Sequence, residues 1–149
     1  MVNSNSFSLQ VEFIHPNAQL PKYEHVGDSG MDLFSVEDVV IPSGVYKLVR
    51  TGIKICLPVG TEAQIRPKSG IALKNSVTVV NTPGTIDASY RGEIGVILIN
   101  HGKEPYVVSI GSKIAQMVIV PVICVDVVKV DNIEMCSTRG EGGFGSTGL

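Results

Sequence analysis

The stretch IGVILINHGKEPYVVSIGSKIAQMVIV, residues 94–120, decides the fold because it contains three short apolar runs separated by turn-forming residues. The runs are Ile94–Ile99, Tyr106–Ile110 and Ile114–Val120, and all three are rich in β-branched residues. Short runs of this composition between Gly, Asn, Pro and Ser are typical of strands. The stretch therefore predicts consecutive β-strands.

The same pattern continues toward the N-terminus. Apolar and polar residues alternate over Phe7–Phe13 and again over Ile53–Leu57, the period of a half-buried strand. Val77–Val80 is a further β-branched run. Pro121 is expected to mark an edge or a break in a long strand, because proline cannot donate to a sheet.

Only one short helix is predicted, at Ser69–Asn75, with Ser69 placed to cap it. Many short strands with regular turns and no internal repeat predict an all-β domain, either a sandwich, a jelly roll or a barrel. The chain has 149 residues, which suits one domain.

Composition limits the classes of function. Apolar residues make up 44% and charged residues 17%, as in globular proteins. The net charge is −2, so no global basic field exists for non-specific duplex binding, and a polyanionic ligand must be held by local groups. No membrane span is expected, because polar residues and Pro121 interrupt the most apolar stretch, 114–130.

The cysteines and the N-terminus bear on the compartment. Cys56, Cys124 and Cys136 include no CxxC pair, so neither a disulfide framework nor a zinc site is expected. The first residues lack the basic and apolar regions of a signal peptide. Reduced cysteines and an intracellular protein are the expectation, in the cytoplasm or, for a viral gene, inside the host cell.

The last segment, STRGEGGFGSTGL, divides the chain into a β-rich core over 1–136 and a glycine-rich tail over 137–149. Its composition predicts a flexible terminus. Arg139 offers a fork to phosphate, Phe144 could stack on a base, and the glycines let backbone N–H groups approach an anion. These features suit a lid over a nucleotide, although a terminus without a role has the same composition.

Polar residues elsewhere suggest phosphate chemistry, each with a plainer alternative. Asp32 could orient a water or a metal, or simply occupy a turn. Lys68, Ser69 and Gly70 open the predicted helix, whose free N–H groups are a natural phosphate seat, although Ser is also an ordinary cap. Gln116 lies in an apolar run and needs a hydrogen-bond partner, either a ligand or the fold.

The segment NTPGTIDASYRGEIGV, residues 81–96, is denser in such residues. A tight turn at Pro83–Gly84 precedes Asp87, and Tyr90 and Arg91 follow closely. A carboxylate near bound phosphates can act as a general base for water. The alternative is a hairpin with a surface acid and a packed tyrosine.

Five segments, in order, resemble the five motifs of the trimeric dUTPase family: SGMDLFS (29–35), PKSGIALK (67–74), NTPGTIDASYRGE (81–93), GSKIAQM (111–117) and STRGEGGFGSTG (137–148). The resemblance runs from about Val11 to the C-terminus. It implies a jelly-roll-like subunit of the β-clip type, a homotrimer with active sites where subunits meet, and Mg²⁺-dependent hydrolysis of dUTP to dUMP and pyrophosphate. No direct nucleic-acid binding is implied.

The resemblance also implies a role for each site residue. Asp87 would activate the attacking water, and Asp32 and Gln116 would hold waters around a Mg²⁺ chelated by the triphosphate. Lys68, Ser69, Gly70 and Arg139 would bind phosphates. Tyr90 would pack on the deoxyribose and leave no room for a 2′-hydroxyl. The remaining substrate contacts would come from the uracil-reading hairpin and the closing tail, at Asn81, Gly84, Thr85, Ile86, Gly95, Phe144, Gly145 and Ser146.

The sequence departs from the family pattern in two motifs. Lys68 stands where the second motif usually has Arg, which keeps the charge but loses the planar fork. Gly111–Ser112–Lys113 replaces the usual GDR of the fourth motif. Three other roles stay open: a dCTP deaminase on the same fold, a binding or regulatory module without turnover, and a structural jelly-roll protein.

Overall fold

Strands dominate the computed structural model, which describes residues 7–133 and 137–145. Those residues form eleven strands and one helix. In chain order they are β1 Gln10–Phe13, β2 Met31–Phe34, β3 Val39–Ile41, β4 Tyr46–Arg50, β5 Ile53–Cys56, β6 Thr61–Arg66, α1 Ser69–Asn75, β7 Val77–Val79, β8 Gly84–Ile86, β9 Gly95–Asn100, β10 Tyr106–Val108 and β11 Lys113–Pro121.

The strands pair antiparallel throughout. A four-stranded sheet has the order β2-β11-β6-β8, and a three-stranded sheet has the order β4-β9-β7. Two further pairs, β1 with β5 and β10 with β3, complete the arrangement. Most neighbours in the sheets are distant in sequence, as expected for a jelly-roll-like subunit. The prediction of an all-β, jelly-roll-like fold is confirmed.

The hydrophobic core lies between these sheets, and its buried members in the described part of the chain are aliphatic side chains and methionines. Alternate residues of β6 and β9 face inward, so that Ala63, Ile65, Val96 and Leu98 are buried. Such burial removes apolar surface from water at about 25 cal/mol per Å². Fully buried large side chains from other positions belong to the same cluster, among them Leu33, Ile41, Val49, Ile53, Ile94 and Met117.

Strand β11 organises the four-stranded sheet. It lies between β2 and β6, and Gln116 is opposite Asp32 on one side and Arg66 on the other. The strand ends at Pro121, which pairs only with Thr61 of β6. The expectation that this proline marks an edge or a break in a long strand is confirmed.

Two local expectations are wrong. Lys68, not Ser69, occupies the N-cap position of α1, and no side chain caps the helix; Ser69 is its first helical residue. The alternating segment 7–13 forms a strand only from Gln10, and Phe7 and Phe13 are exposed rather than half-buried. Only Leu9 and Val11 of that segment pack against the core.

Beyond Pro121 the chain leaves the sheets. Residues 122–133 form no strand and are exposed, although the segment is rich in valine and isoleucine. Cys56 and Cys124 are free thiols, and Cys136 lies outside the described residues. In the part of the chain that the structure describes, no helix is long and apolar enough to cross a membrane.

Candidate active site

The first cluster of predicted residues lies at one end of the four-stranded sheet. Asp32 of β2 is only 5% exposed, and Gln116 is its neighbour on β11. Lys68, at the junction of β6 and α1, reaches the same point. The three side chains line a cleft of about 370 Å³, together with 24–25, 28–30 and Lys113. Three segments that are far apart in sequence are therefore brought together.

Two ammonium groups hold the Asp32 carboxylate. Lys68 Nζ donates to Oδ1, and Lys113 Nζ lies 2.8 Å from Oδ2. Lys113 also donates to Glu24 Oε2 at 2.8 Å. Its hydrogen bonds to Asp32, first, and to Glu24 raise the lysine pKa. Burial acts to raise the Asp32 pKa, but the hydrogen bonds and charges of Lys113 and Lys68 outweigh it and hold that pKa below its usual range. Asp32 is thus an ionised carboxylate, held in a fixed position, at neutral pH.

This arrangement predicts how Asp32 contributes to stability. A carboxyl whose pKa is lower in the folded state stabilises the protein at pH values above its unfolded-state pKa, which is about 3.8. This stabilisation is lost as the pH falls through the folded-state pKa. The wild type should therefore exceed Asp32→Asn in unfolding free energy at pH 7, and the gap should narrow below about pH 4. Urea unfolding of both proteins across pH 3–7 measures this. A gap that does not narrow on acidification would contradict the ion-pair account.

The Gln116 amide has a partner in the fold. Its Nε2 donates to the Pro67 carbonyl at 2.9 Å, so the nitrogen is fixed and the oxygen faces Gly30. A Cβ on Gly30 would lie 3.0 Å from Gln116 Cδ and closer still to Oε1, so only glycine leaves this amide in place. The orientation presents Oε1 on the same side of the sheet as the Asp32 carboxylate.

Ser69 and Gly70 stand beside this cleft in the first turn of α1, and both are exposed. The first N–H groups of a helix have no partners within it, and here no side chain caps them. Together with the Lys68 ammonium and the Ser69 hydroxyl, these groups form a surface of donors. Such a surface suits phosphate oxygens.

A second cluster lies at the other edge of the same sheet. Strand β8, Gly84–Ile86, pairs with β6, and the exposed Asp87 follows directly. The Asn81 side chain lies against Gly84. Gly95, at the start of β9, contacts Leu48. Strand β8 pairs with β6 whereas Gly95 pairs with Arg50 of β4, so no β8–β9 pairing joins the two parts of the predicted uracil-reading hairpin among the described residues.

Tyr90 belongs to this second cluster. Its backbone N–H donates to the Asp87 carbonyl at 3.0 Å, and its Oη donates to the Glu93 carbonyl at 3.0 Å. The ring remains 44% exposed. A ring that is held at both ends and open on one face can pack on a flat apolar ligand group.

The two clusters lie far apart within one chain. Asp32 and Asp87 are separated by three strand-to-strand steps across the order β2-β11-β6-β8, or roughly 14 Å at about 4.8 Å a step. They also lie at different heights, since Gln116 pairs with Arg66 whereas Ile86 pairs with Ala63. The candidate phosphate-binding groups of the first cluster and the predicted uracil-reading segment do not form one compact site within a single subunit.

The tail joins neither cluster among the described residues. Arg139 Nε donates to the Gly142 carbonyl at 2.7 Å, and its backbone N–H donates to Ser137 Oγ at 3.1 Å. Phe144 is fully exposed, and Gly145 is exposed. Ser146 lies outside the described residues. Within the described part of the tail, the arginine fork and the aromatic ring both have exposed surface.

Two sets of contacts near the site were not predicted from the sequence. In the sequence Lys113 stands out only as a departure from a motif, whereas the structure pairs it with Asp32 and Glu24. Glu93 accepts from Arg50 Nε and, at 2.9 Å, from the Gly52 N–H, which fastens the segment before β9 to β4 and to the turn between β4 and β5. No local pattern connects such distant partners, so only the fold could reveal them.

The donor set of the first cluster fits a hydrated hard cation. Asp32 offers a carboxylate and Gln116 an amide oxygen, the ligand types that suit Mg²⁺. No group of three or more His, Cys, Asp or Glu side chains among the described residues could hold a metal. A cation here would keep most of its waters or take phosphate oxygens as ligands.

Comparisons with known proteins agree on one family. The dUTPase family model matches residues 16–148. The chain is 60% identical to a deoxyuridine 5′-triphosphate nucleotidohydrolase of Alkaliphilus metalliredigens over 143 residues, which cover 96% of this chain and 99% of the relative. It is 62% identical to the protein of that name from Gloeothece citriformis, with coverages of 95% and 97%.

Solved structures give the same result. The dUTPase of Staphylococcus bacteriophage 80alpha with dUpNHpp superposes with a TM-score of 0.86 at 30% identity, covering 95% of this chain and 99% of that one. A mutant dUTPase from phage phi11 of S. aureus, described with a coordinated structural Mg(II) ion, superposes at 0.78 with 26% identity, covering 84% and 97%.

Proposed function

Because this chain belongs to the dUTPase family and is a dUTP nucleotidohydrolase, we propose that it cleaves dUTP by in-line attack of water on the α-phosphorus, with Asp87 as the general base. The water loses a proton to the Asp87 carboxylate while its oxygen bonds to phosphorus. The bond from phosphorus to the bridging oxygen breaks, and pyrophosphate leaves from dUMP. A positioned base of this kind contributes about 10²–10⁴-fold.

The observation that carries this proposal is the first cluster. Asp32, Lys68 and Gln116 converge on one polar cleft, with the uncapped start of α1 beside it. Lys68, Ser69 and Gly70 would bind phosphate oxygens there, and Asp32 and Gln116 would hold the waters of a Mg²⁺ that arrives with the nucleotide. When bound, Mg²⁺ supplies charge stabilisation for the pyrophosphate leaving group.

Base and sugar selection are assigned to the second cluster. Asn81 and the backbone of 84–86 and Gly95 would present fixed donors and acceptors to the uracil edge. Fixed polar groups reject a wrong edge strongly, because an unmatched partner leaves them without hydrogen bonds. Tyr90 would pack on the deoxyribose and occupy the space of a 2′-hydroxyl. Arg139 would then clamp phosphate and Phe144 would stack on uracil, with Gly145 and Ser146 beside it.

A homotrimer would bring together the two clusters, which lie far apart within one chain. The roughly 14 Å between the clusters favours an active site built from the first cluster of one subunit and the second cluster of another. The exposed apolar segment 122–133 supports assembly as well, since Ile123, Val127 and Ile133 are each more than three-quarters exposed. A monomer rarely leaves so long an apolar segment in water.

We place this activity inside the cell, in the cytoplasm. The free thiols of Cys56 and Cys124 suit a reducing compartment. Hydrolysis of dUTP there would keep uracil out of DNA and supply dUMP for dTMP synthesis. The glycine-rich tail over 137–149 would serve as a separate lid on the core domain.

The first experiment is pyrophosphate release with Mg²⁺ from dUTP, dTTP, dCTP and UTP in separate reactions. We expect release from dUTP alone. Release of ammonia from dCTP would instead identify a deaminase, and binding of dUTP without release would identify a regulatory module. Sedimentation of the same preparation measures assembly, and a monomer with full activity would contradict the shared site.

A further inference from the structure

We propose that Gly92 determines sugar specificity by leaving room for the Tyr90 ring, so that Gly92 is a positioning residue for the discrimination between dUTP and UTP. The inference rests on the proposed role of Tyr90 at the deoxyribose. It adds the element of this fold that sets where that ring stands.

The Tyr90 ring lies over the backbone of Gly92. A Cβ built on Gly92 would stand 2.5 Å from Tyr90 Cζ, 3.0 Å from Cε2 and closer still to Oη. Carbon atoms in contact are normally about 3.5–4.0 Å apart. The observed ring position is therefore available only while residue 92 has no side chain.

Hydrogen bonds hold the backbone next to the Tyr90 ring in place. The Tyr90 hydroxyl donates to the Glu93 carbonyl, and the Glu93 carboxylate accepts from Arg50 Nε and the Gly52 N–H. The next residue, Ile94, donates its N–H to the Ile53 carbonyl at 2.9 Å. The backbone that follows Gly92 is thus fastened to two strands of the body.

The ring, by contrast, is held at its far end only by the hydroxyl hydrogen bond to the Glu93 carbonyl, so a clash can displace it. It is 44% exposed, and the atoms that a Cβ would strike are at the far end of the side chain. Gly92 is not among the described glycines in the left-handed region, so alanine can adopt its backbone conformation. Gly92→Ala should therefore displace Tyr90 while leaving the fold intact.

The consequence should appear in specificity. An apolar pocket rejects a ligand that carries an added hydroxyl by about 10²-fold. With the ring displaced, space opens for a 2′-hydroxyl, and the ratio of kcat/KM for dUTP over UTP should fall by about 10- to 100-fold. Thermal unfolding of Gly92→Ala should stay close to that of the wild type.

Two further substitutions at Tyr90 test whether Gly92 acts on specificity through the Tyr90 ring. Tyr90→Ala should lose the discrimination, and Gly92→Ala added to Tyr90→Ala should change nothing more, because the methyl then meets no ring. Tyr90→Phe should keep the discrimination, since the space at Gly92 and not the hydroxyl bond determines the ring position. This last variant tests the inference even if Gly92→Ala folds poorly.

Each outcome is decisive. If Tyr90→Ala still rejects UTP, the proposed sugar role of Tyr90 fails and the inference fails with it. If Tyr90→Ala admits UTP but Gly92→Ala does not, only the inference is overturned. It is also overturned if Gly92→Ala loosens specificity further in the Tyr90→Ala background, or if Tyr90→Phe admits UTP as readily as Tyr90→Ala.

Discussion

Replacing Asp87 by asparagine should lower the turnover of dUTP by about 10²–10⁴-fold, the contribution of a positioned general base. Asparagine has nearly the same shape but cannot accept the proton of the attacking water. Binding of dUTP should survive, because the phosphates are assigned to the first cluster and the uracil to the backbone of the predicted hairpin. Single-turnover rates and the affinity for the analogue dUpNHpp measure the two effects separately.

The structure indicates that this substitution will not disturb the fold. Asp87 is exposed, and no ion pair involves its carboxylate in the described part of the chain. Its known contact is through the backbone, where its carbonyl accepts from Tyr90 N–H, and asparagine keeps that carbonyl. A fall in turnover would therefore report chemistry and not misfolding.

Asp38→Asn is a matched control for charge. Asp38 is exposed, lies in neither cluster, and accepts from the Ile110 N–H at 2.8 Å through a carboxylate oxygen that an amide oxygen can replace. This variant should turn over dUTP as the wild type does. Near-normal turnover in Asp87→Asn would remove Asp87 as the base, and an equal loss in both variants would point to net charge.

The strands could be predicted where the sequence carries a local signal. The runs at 94–99, 106–110 and 114–120 became β9, β10 and β11 with small shifts at their ends. The bounds of α1 match the prediction. Strand β2 was not predicted, because Met31, Asp32 and Leu33 are all buried and MDLF has no alternation. The buried charge of Asp32 also depends on partners from other segments.

Convergence of the candidate site was less accessible to sequence. Motif order suggested that Asp32, Lys68 and Gln116 act together, but only the pairing of β11 with β2 and β6 explains how they meet. The Lys113 ion pair with Asp32 has no local signature at all. Separation of the hairpin from this cluster is likewise a consequence of strand order, which no motif encodes.

Ending the chain after Thr138 should leave a folded body and impair catalysis severely. The deletion removes Arg139 and Phe144. A base stack contributes about 1–3 kcal/mol, and a hydrogen bond to a charged group about 1.5–3 kcal/mol. Their joint loss corresponds to a fall in kcat/KM of about 10²–10⁴-fold, since about 1.4 kcal/mol is tenfold. Steady-state kinetics with dUTP measures this fall.

The body should not unfold, because the described tail residues, 137–145, are all exposed and contribute nothing to the core. Thermal unfolding and sedimentation of the truncated chain should match the wild type. Glu141→Gln is a control for charge within the tail, since Glu141 is exposed and has no assigned role, and it should keep its activity. Phe144→Ala should reproduce part of the loss. An unfolded or dissociated truncation would show instead that the tail holds the assembly together, and full activity without it would remove the lid from the mechanism.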